Sequence, residues 1–169
     1  VSVKDYKTYL KMDIHTKRNL ELTENLRLKE RTFSLLWLLD KTKTAMGSRM
    51  LKNMIENPLV DKEEIEERFD MTSKLLEQFL LKDELTNLLD NVYDLERLCG
   101  RISFGNANAR DLLQLKSSLK VLPRLKEIVN ELGFNLIIDD LTDIYNFIDK
   151  SIYENPPIGL KEGYLIKEG

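Results

Sequence analysis

Asp61-Lys-Glu-Glu-Ile65-Glu-Glu-Arg-Phe69-Asp-Met-Thr72-Ser-Lys-Leu75-Leu76-Glu-Gln-Phe79 spaces its apolar residues three and four apart. That is the period of one face of an α-helix, and no strand tolerates it. Asp61 stands where an N-cap accepts a backbone N–H, and Glu63 and Glu64 put negative charge against the positive end of the helix dipole. Just upstream lies Asn57-Pro58. A residue before proline avoids helical geometry, so an earlier helix has to stop there. That earlier helix is read from Ser34 through Leu35-Leu36-Trp37-Leu38-Leu39, with Gly47 separating its first turn from a second run.

Downstream, Val92, Leu95, Cys99 and Ile102 predict a helix ending at Phe104-Gly105. Leu112, Leu115, Leu119 and Leu122 predict another after Asn108. Ile137, Leu141, Ile144, Ile148 and Ile152 predict a last long helix, closed by Asn155-Pro156-Pro157. At the N-terminus Tyr9 to Ile14 alternate, with Leu10, Met12 and Ile14 on one side, the pattern of a short half-buried strand. Gly159, Gly163 and Gly169 around Tyr164, Leu165 and Ile166 predict a small hairpin or an extended tail. The expected fold is mainly α: one elongated helical domain over residues 1–169, with a short β segment near the N-terminus and extended chain at the C-terminus.

Composition agrees with that class. Of 169 residues, 42% are hydrophobic and 33% charged, with only 7 Gly and 4 Pro, which is the usage of straight-chain helix formers. A net charge of −3 argues against a free-standing nucleic-acid binder, so any DNA contact has to be local. Charge is nevertheless segregated. Residues 61–96 carry 12 acidic and 4 basic side chains, whereas residues 97–126 carry 7 basic and 1 acidic. Neighbouring antiparallel helices that pair opposite charges at their edges account for this. The alternative is that Arg110, Lys116, Lys120, Arg124 and Lys126 face DNA or an acidic domain. No uncharged apolar run is long enough to span a membrane, and the single Cys99 excludes an internal disulfide. Val1 in place of an initiator Met and a charged, turn-like end at Gly169 suggest a piece of a larger protein.

Chemistry is scarce. His15 is the only histidine, so no histidine pair or triad can form within the chain. Neither a Walker phosphate loop nor a dinucleotide fingerprint occurs, which predicts no ATP binding by this chain itself. Cys99 and Trp37 read as core residues. Asp139-Asp140-Leu-Thr-Asp143 matches the D-D-x-x-D run with which isoprenoid diphosphate synthases hold magnesium. No second acidic run exists to complete such a site, and aspartates at a helix start cap it, so capping is the expected role. A helical Mg-dependent isoprenoid-type enzyme using Asp139, Asp140 and Asp143 is the alternative.

A set of motifs in register goes further. Tyr9-Leu-Lys-Met-Asp13 is followed by Thr16-Lys-Arg-Asn19-Leu-Glu-Leu22, then Leu35-Leu-Trp-Leu-Leu-Asp40, Thr44-Ala-Met-Gly47-Ser-Arg49-Met-Leu51 and Asn57-Pro58-Leu59. Next come Asp94-Leu-Glu-Arg97-Leu, Gly100-Arg101-Ile102, Ala109-Arg110-Asp111-Leu112, Asn155-Pro156-Pro157 and Glu162-Gly163. In order and spacing, from about Tyr6 to the C-terminus, this resembles the core region of MutS-type DNA mismatch-repair proteins. The resemblance implies the first half of the core, or lever, domain up to the clamp insertion, with mismatch-binding, connector, clamp and ATPase domains outside residues 1–169. It implies a structural hub that passes ATP-driven change to the DNA-binding parts of a dimeric parent. A MutS paralogue that does not act on mismatches would share the same core. The partners implied are double-stranded DNA with mismatches and downstream factors such as MutL; the parent's cofactors are ATP and Mg, with none held in this chain. The implied location is the bacterial cytoplasm, on the nucleoid. None of the family's mismatch-reading or nucleotide-binding residues maps here. Arg49, Arg97 and Arg101, which recur in the family-like motifs, are expected to tie helices together or to meet adjoining domains, and with Arg110 and Lys116 they are the candidate interdomain or DNA-backbone contacts.

Overall fold

A computed structural model describes residues 9–157, 159 and 163–167. Its helices are α1 (Ile14–Asn19), α2 (Leu35–Leu39), α3 (Ala45–Glu56), α4 (Lys62–Glu77), α5 (Phe79–Leu89), α6 (Leu95–Ser103), α7 (Ala109–Leu119), α8 (Leu122–Glu131) and α9 (Thr142–Ser151). The fold is mainly α. The chain divides into two compact units, Val1–Glu77 and Gln78–Gly169.

In the N-terminal unit the expected strand at 9–14 is absent. Tyr9 forms only an isolated antiparallel bridge with Leu59, beside a hydrogen bond from Leu10 N–H to the Pro58 carbonyl at 2.8 Å. Asp13 ends any extension, because its carboxylate accepts the Thr16 N–H and starts α1. The connection to α2 turns through three left-handed residues, Glu21, Lys29 and Phe33. Backbone bonds from Leu35 to Glu21 and from Leu36 to Leu22 bring its two ends together over buried Leu22, Ser34 and Leu36. Ser34 caps α2, and Thr44 caps α3. The two helices separate at Asp40–Thr44, not at Gly47. Gly47 lies inside α3, where its N–H donates to Thr44 Oγ1 at 3.0 Å. Asp61 accepts the Glu64 N–H at the start of α4, as its position predicted.

Trp37 also departs from expectation. It is 45% exposed and leans on Phe33 with ring centroids 5.2 Å apart. A five-residue helix has one inward position, and Leu36 takes it.

In the C-terminal unit α7 packs against both α6 and α9, and α5 packs against α8. Buried Ala109, Leu119, Ile148 and Ile152 form a core, with Leu112, Leu115, Leu122 and Tyr145 packed around it. α6 buries Leu98 completely, while Cys99 is exposed and Leu95 only half-buried. The inward face is therefore one position away from the one Cys99 would mark. α6 ends as expected at Phe104, followed by Gly105 at φ +68°. Asn108 and Asp111 cap α7 reciprocally, each side chain accepting the other's backbone N–H at 2.9 Å. The run through Leu122 is not one helix: the chain breaks at Lys120–Val121, and Pro123 opens α8.

The last helix begins at Thr142, not Ile137. Ile137 is fully exposed, Leu141 takes a left-handed φ of 48°, and Asp139 and Asp140 bond the N–H groups of Leu141 and Thr142. Past α9 the chain doubles back, with Ile152 and Ile166 in an isolated antiparallel bridge and Lys167 N–H donating to the Ser151 carbonyl at 2.8 Å. Among the described residues this is extended chain without a named strand; Gly169 and Glu162 of the expected tail lie outside them. No helix among the described residues is long and apolar enough to cross a membrane.

Candidate interhelical and nucleic-acid contacts

α6 carries Arg97 and Arg101 one turn apart. Arg97 points to solvent, whereas Arg101 folds down toward the start of α7. There its Nη2 donates to Asp111 Oδ2 at 2.9 Å and to the Asn106 carbonyl at 2.9 Å. Asp111 is 7% exposed, and the same oxygen serves the capping box. One carboxylate thus starts α7 and holds it to the end of α6. Ser118, fully buried on α7, adds a second tie: its Oγ accepts the Tyr93 N–H at 2.9 Å and donates to the Gln114 carbonyl at 2.9 Å.

Lys116 joins α7 to α9 through Asp149 Oδ1 at 2.9 Å. That hydrogen bond, the charge of Lys116 and that of Lys167 lower the Asp149 pKa against partial desolvation. Lys167 Nζ also donates to the Asp149 carbonyl at 2.7 Å, fastening the returning chain. Arg110 makes a longer contact, 3.4 Å from Nε to the Pro156 carbonyl.

Arg124 links α8 to α5. Its Nε and Nη2 take the two Glu84 oxygens at 2.6 and 2.8 Å, a bidentate fork. Its Nη1 donates to Glu127 and Glu131 at 2.9 and 3.0 Å. The hydrogen bonds to Arg124 hold Glu84 below its ordinary range, and the three carboxylates raise the guanidinium. Opposite charges on packed helices therefore account for part of the segregation in the sequence. Arg124, Lys116 and Arg110 spend their polar atoms inside the C-terminal unit, not as one cationic stripe. The spacing of Arg124, Glu127 and Glu131 on one helix face could have marked this node; the Glu84 partner, 40 residues away, could not.

Arg49 belongs to the N-terminal unit. It is exposed on α3 and lines a cavity of about 240 Å³ with Thr23, Glu24, Arg31, Ser48 and Lys52. Beside it Asp40 joins three segments, accepting from Arg31, from Thr42 N and Oγ1 at 3.0 and 2.6 Å, and from Ser48 Oγ at 2.5 Å. The Ser48 and Thr42 hydroxyls are the chief reason its pKa lies far below the carboxylate range. Four of the five candidate cations lie in the C-terminal unit and Arg49 lies in the N-terminal one. In the C-terminal unit Arg101 and Lys116 join helices, Arg110 reaches the chain after α9, and Arg97 is exposed.

Asp139 and Asp140 accept the N–H groups two residues ahead, those of Leu141 and Thr142, in local turns before α9 and not as its cap, a position Leu141 takes. The Thr142 N–H and hydroxyl lower the Asp140 pKa. Among the described residues no three His, Cys, Asp or Glu side chains gather as a metal site. His15 is exposed on α1.

Comparison with known proteins agrees with this helical body. The family model of MutS domain III matches residues 15–168. The DNA mismatch repair protein MutS of Bacillus cytotoxicus is 51% identical over 167 residues, covering 95% of this chain and 19% of that protein. The DNA mismatch repair protein MutS of Bacillus velezensis is 48% identical over 175 residues, covering 100% of this chain and 20% of that protein. The chain spans about a fifth of the length of these curated relatives. It belongs to the MutS family of DNA mismatch-repair proteins, in which it corresponds to the helical core, domain III.

Proposed function

We propose that this chain is the structural hub of a mismatch-recognition protein, carrying ATP-driven change from an ATPase domain to the parts that hold DNA. The observation that carries this reading is the set of ties in the C-terminal unit. Arg101–Asp111, Lys116–Asp149 and Arg124–Glu84 join α6 to α7, α7 to α9 and α5 to α8, and an apolar core lies between α7 and α9. Helices fastened by directional bonds at several places move together, and a body that moves together passes displacement from one end to the other. Such a role needs no bound cofactor in the hub. ATP and Mg would belong to the parent's ATPase domain, and the partners would be mismatched double-stranded DNA, a second subunit and downstream factors such as MutL. The setting would be the bacterial cytoplasm.

The test is made in the full-length protein with Arg101→Ala. Mismatch binding and ATP binding, each measured alone, stay close to the unsubstituted values, while the effect of ATP on mismatch affinity shrinks. An unchanged ATP effect would remove the mechanical role of the α6–α7 tie.

A further inference from the structure

The cavity beside Arg49 continues into a second one of about 340 Å³, and the two share Thr23, Glu24 and Lys52. Together they form a cleft between α1, the connection that follows it and α3. Six basic side chains line the cleft, Lys17, Arg18, Lys29, Arg31, Arg49 and Lys52, against the carboxylates of Glu24 and Glu56. Leaving aside Arg31, which Asp40 holds, and Arg49, four basic side chains meet two carboxylates, and a local excess of two positive charges is the reverse of a chain of net charge −3.

The pairing of these cations is also unlike that elsewhere. Arg31, Arg101, Lys116 and Arg124 each hold a carboxylate at hydrogen-bond distance. Lys17, Arg18, Lys29 and Lys52 make no ion pair among the described residues. Like charges around one concavity repel one another, and an oxyanion between them removes that cost. Lys17 and Arg18 also complement the C-terminal end of the α1 dipole, but that role does not account for Lys29 and Lys52 on other segments.

We propose that this cleft is a phosphate-binding site. A phosphoryl group brings close to two negative charges and several acceptor oxygens, which suits a cleft that basic residues line from three segments together with Thr23. A simple carboxylate would leave half of the excess charge unmatched. Glu24 and Glu56 cap the negative charge the cleft accepts, so it holds one or two phosphoryl groups and not a long polyanion. The phosphate comes either from a DNA backbone passing the cleft or from a small free phosphate compound. The site is independent of the hub role, and its failure would leave that reading untouched.

The experiment uses the whole 169-residue chain with inorganic pyrophosphate and, separately, a fluorescent 30-base-pair duplex. Pyrophosphate at ten times its Kd raises the Tm by roughly 3 to 6 °C. The double variant K17Q/K52Q loses that shift, and K74Q/K150Q, with the same charge change on exposed residues outside the cleft, keeps it. If pyrophosphate also displaces the duplex, and K17Q/K52Q lowers the salt slope of duplex binding by about 0.9 per lost contact, the cleft holds backbone phosphate. A pyrophosphate shift without displacement assigns it to a free phosphate compound. Absence of any pyrophosphate shift, or an equal loss in both double variants, overturns the proposal. Circular dichroism spectra matching the unsubstituted chain establish that the variants are folded.

Discussion

Replacing Leu98 by Ala tests where the core of the C-terminal unit lies. Leu98 is completely buried on α6, where the helix packs against α7. The substitution removes three carbon atoms, and at about 0.8 kcal/mol for each buried methylene the transfer contribution alone is about 2.4 kcal/mol. Any cavity left behind adds about 24 cal/mol per Å³, which places the total at roughly 3 to 4.5 kcal/mol. Leu95, half-buried on the same helix, provides the internal comparison. Its truncation costs roughly 1 kcal/mol, because much of its surface is wet in the folded state. Both are read by urea unfolding followed by far-ultraviolet circular dichroism. With a slope of about 1 to 3 kcal/mol per molar, Leu98→Ala lowers the midpoint by 1 M or more at an unchanged slope. A Leu98→Ala variant within about 0.5 kcal/mol of the unsubstituted chain would refute the assignment. So would a larger loss at Leu95.

Three further outcomes follow from single features. Gly105 sits at φ +68° with open space around the position of a Cβ, so Gly105→Ala costs roughly 1 kcal/mol of backbone strain and Gly105→Asn less; equal losses in urea unfolding would contradict this. Glu84 and Asp149 have lowered pKa values in the folded chain, from ordinary values of 4.5 and 3.8. Their contribution is therefore complete above the unfolded pKa and is lost as pH falls from about 4.5 through the folded values. Glu84→Gln should flatten the fall in urea midpoint between pH 5 and 3, and an unchanged fall would count against the Arg124 node. Trp37, the single tryptophan, is quenched by acrylamide and emits to the red of a buried indole; a blue-shifted, protected signal would contradict its placement beside Phe33 at the surface.

Much of the helical framework was legible because its ends carry strong local chemistry. Asp61, Asn108, Asn57-Pro58 and Phe104-Gly105 each mark a boundary where the structure has one. Periodicity alone misled at weaker places. Leu112 to Leu122 keeps helical spacing across a break, although Pro123 is the residue expected at the start of a new helix. Ile137 continues the spacing of Ile144 and Ile148, yet Asp139 and Asp140 bond the backbone locally and begin α9 later. On the nine-residue α6, Leu95, Leu98, Cys99 and Ile102 define a stripe too broad to say which residue faces inward. Gly47 was misread as a break because glycine weakens helices; here it sits in the first turn, where a Cβ would come within 3.1 Å of Thr44 Oγ1 and 3.2 Å of Thr42 Cβ.

The candidate cations were visible as residues but not as partners. Arg101 finds Asp111 ten positions away, Lys116 finds Asp149 33 positions away, and Arg124 finds Glu84 40 positions away. No local pattern encodes such pairings; they appear only when α7 is set against α6 and α9, and α8 against α5.

The hub role is tested most directly by the factor by which ATP changes mismatched-duplex affinity, measured by fluorescence anisotropy in the full-length protein with and without Arg101→Ala. Coupling between sites is typically 5- to 150-fold. The account predicts that this factor falls by at least about fivefold while affinity without nucleotide changes less than about twofold. An ATP effect of the same size in both proteins would contradict it.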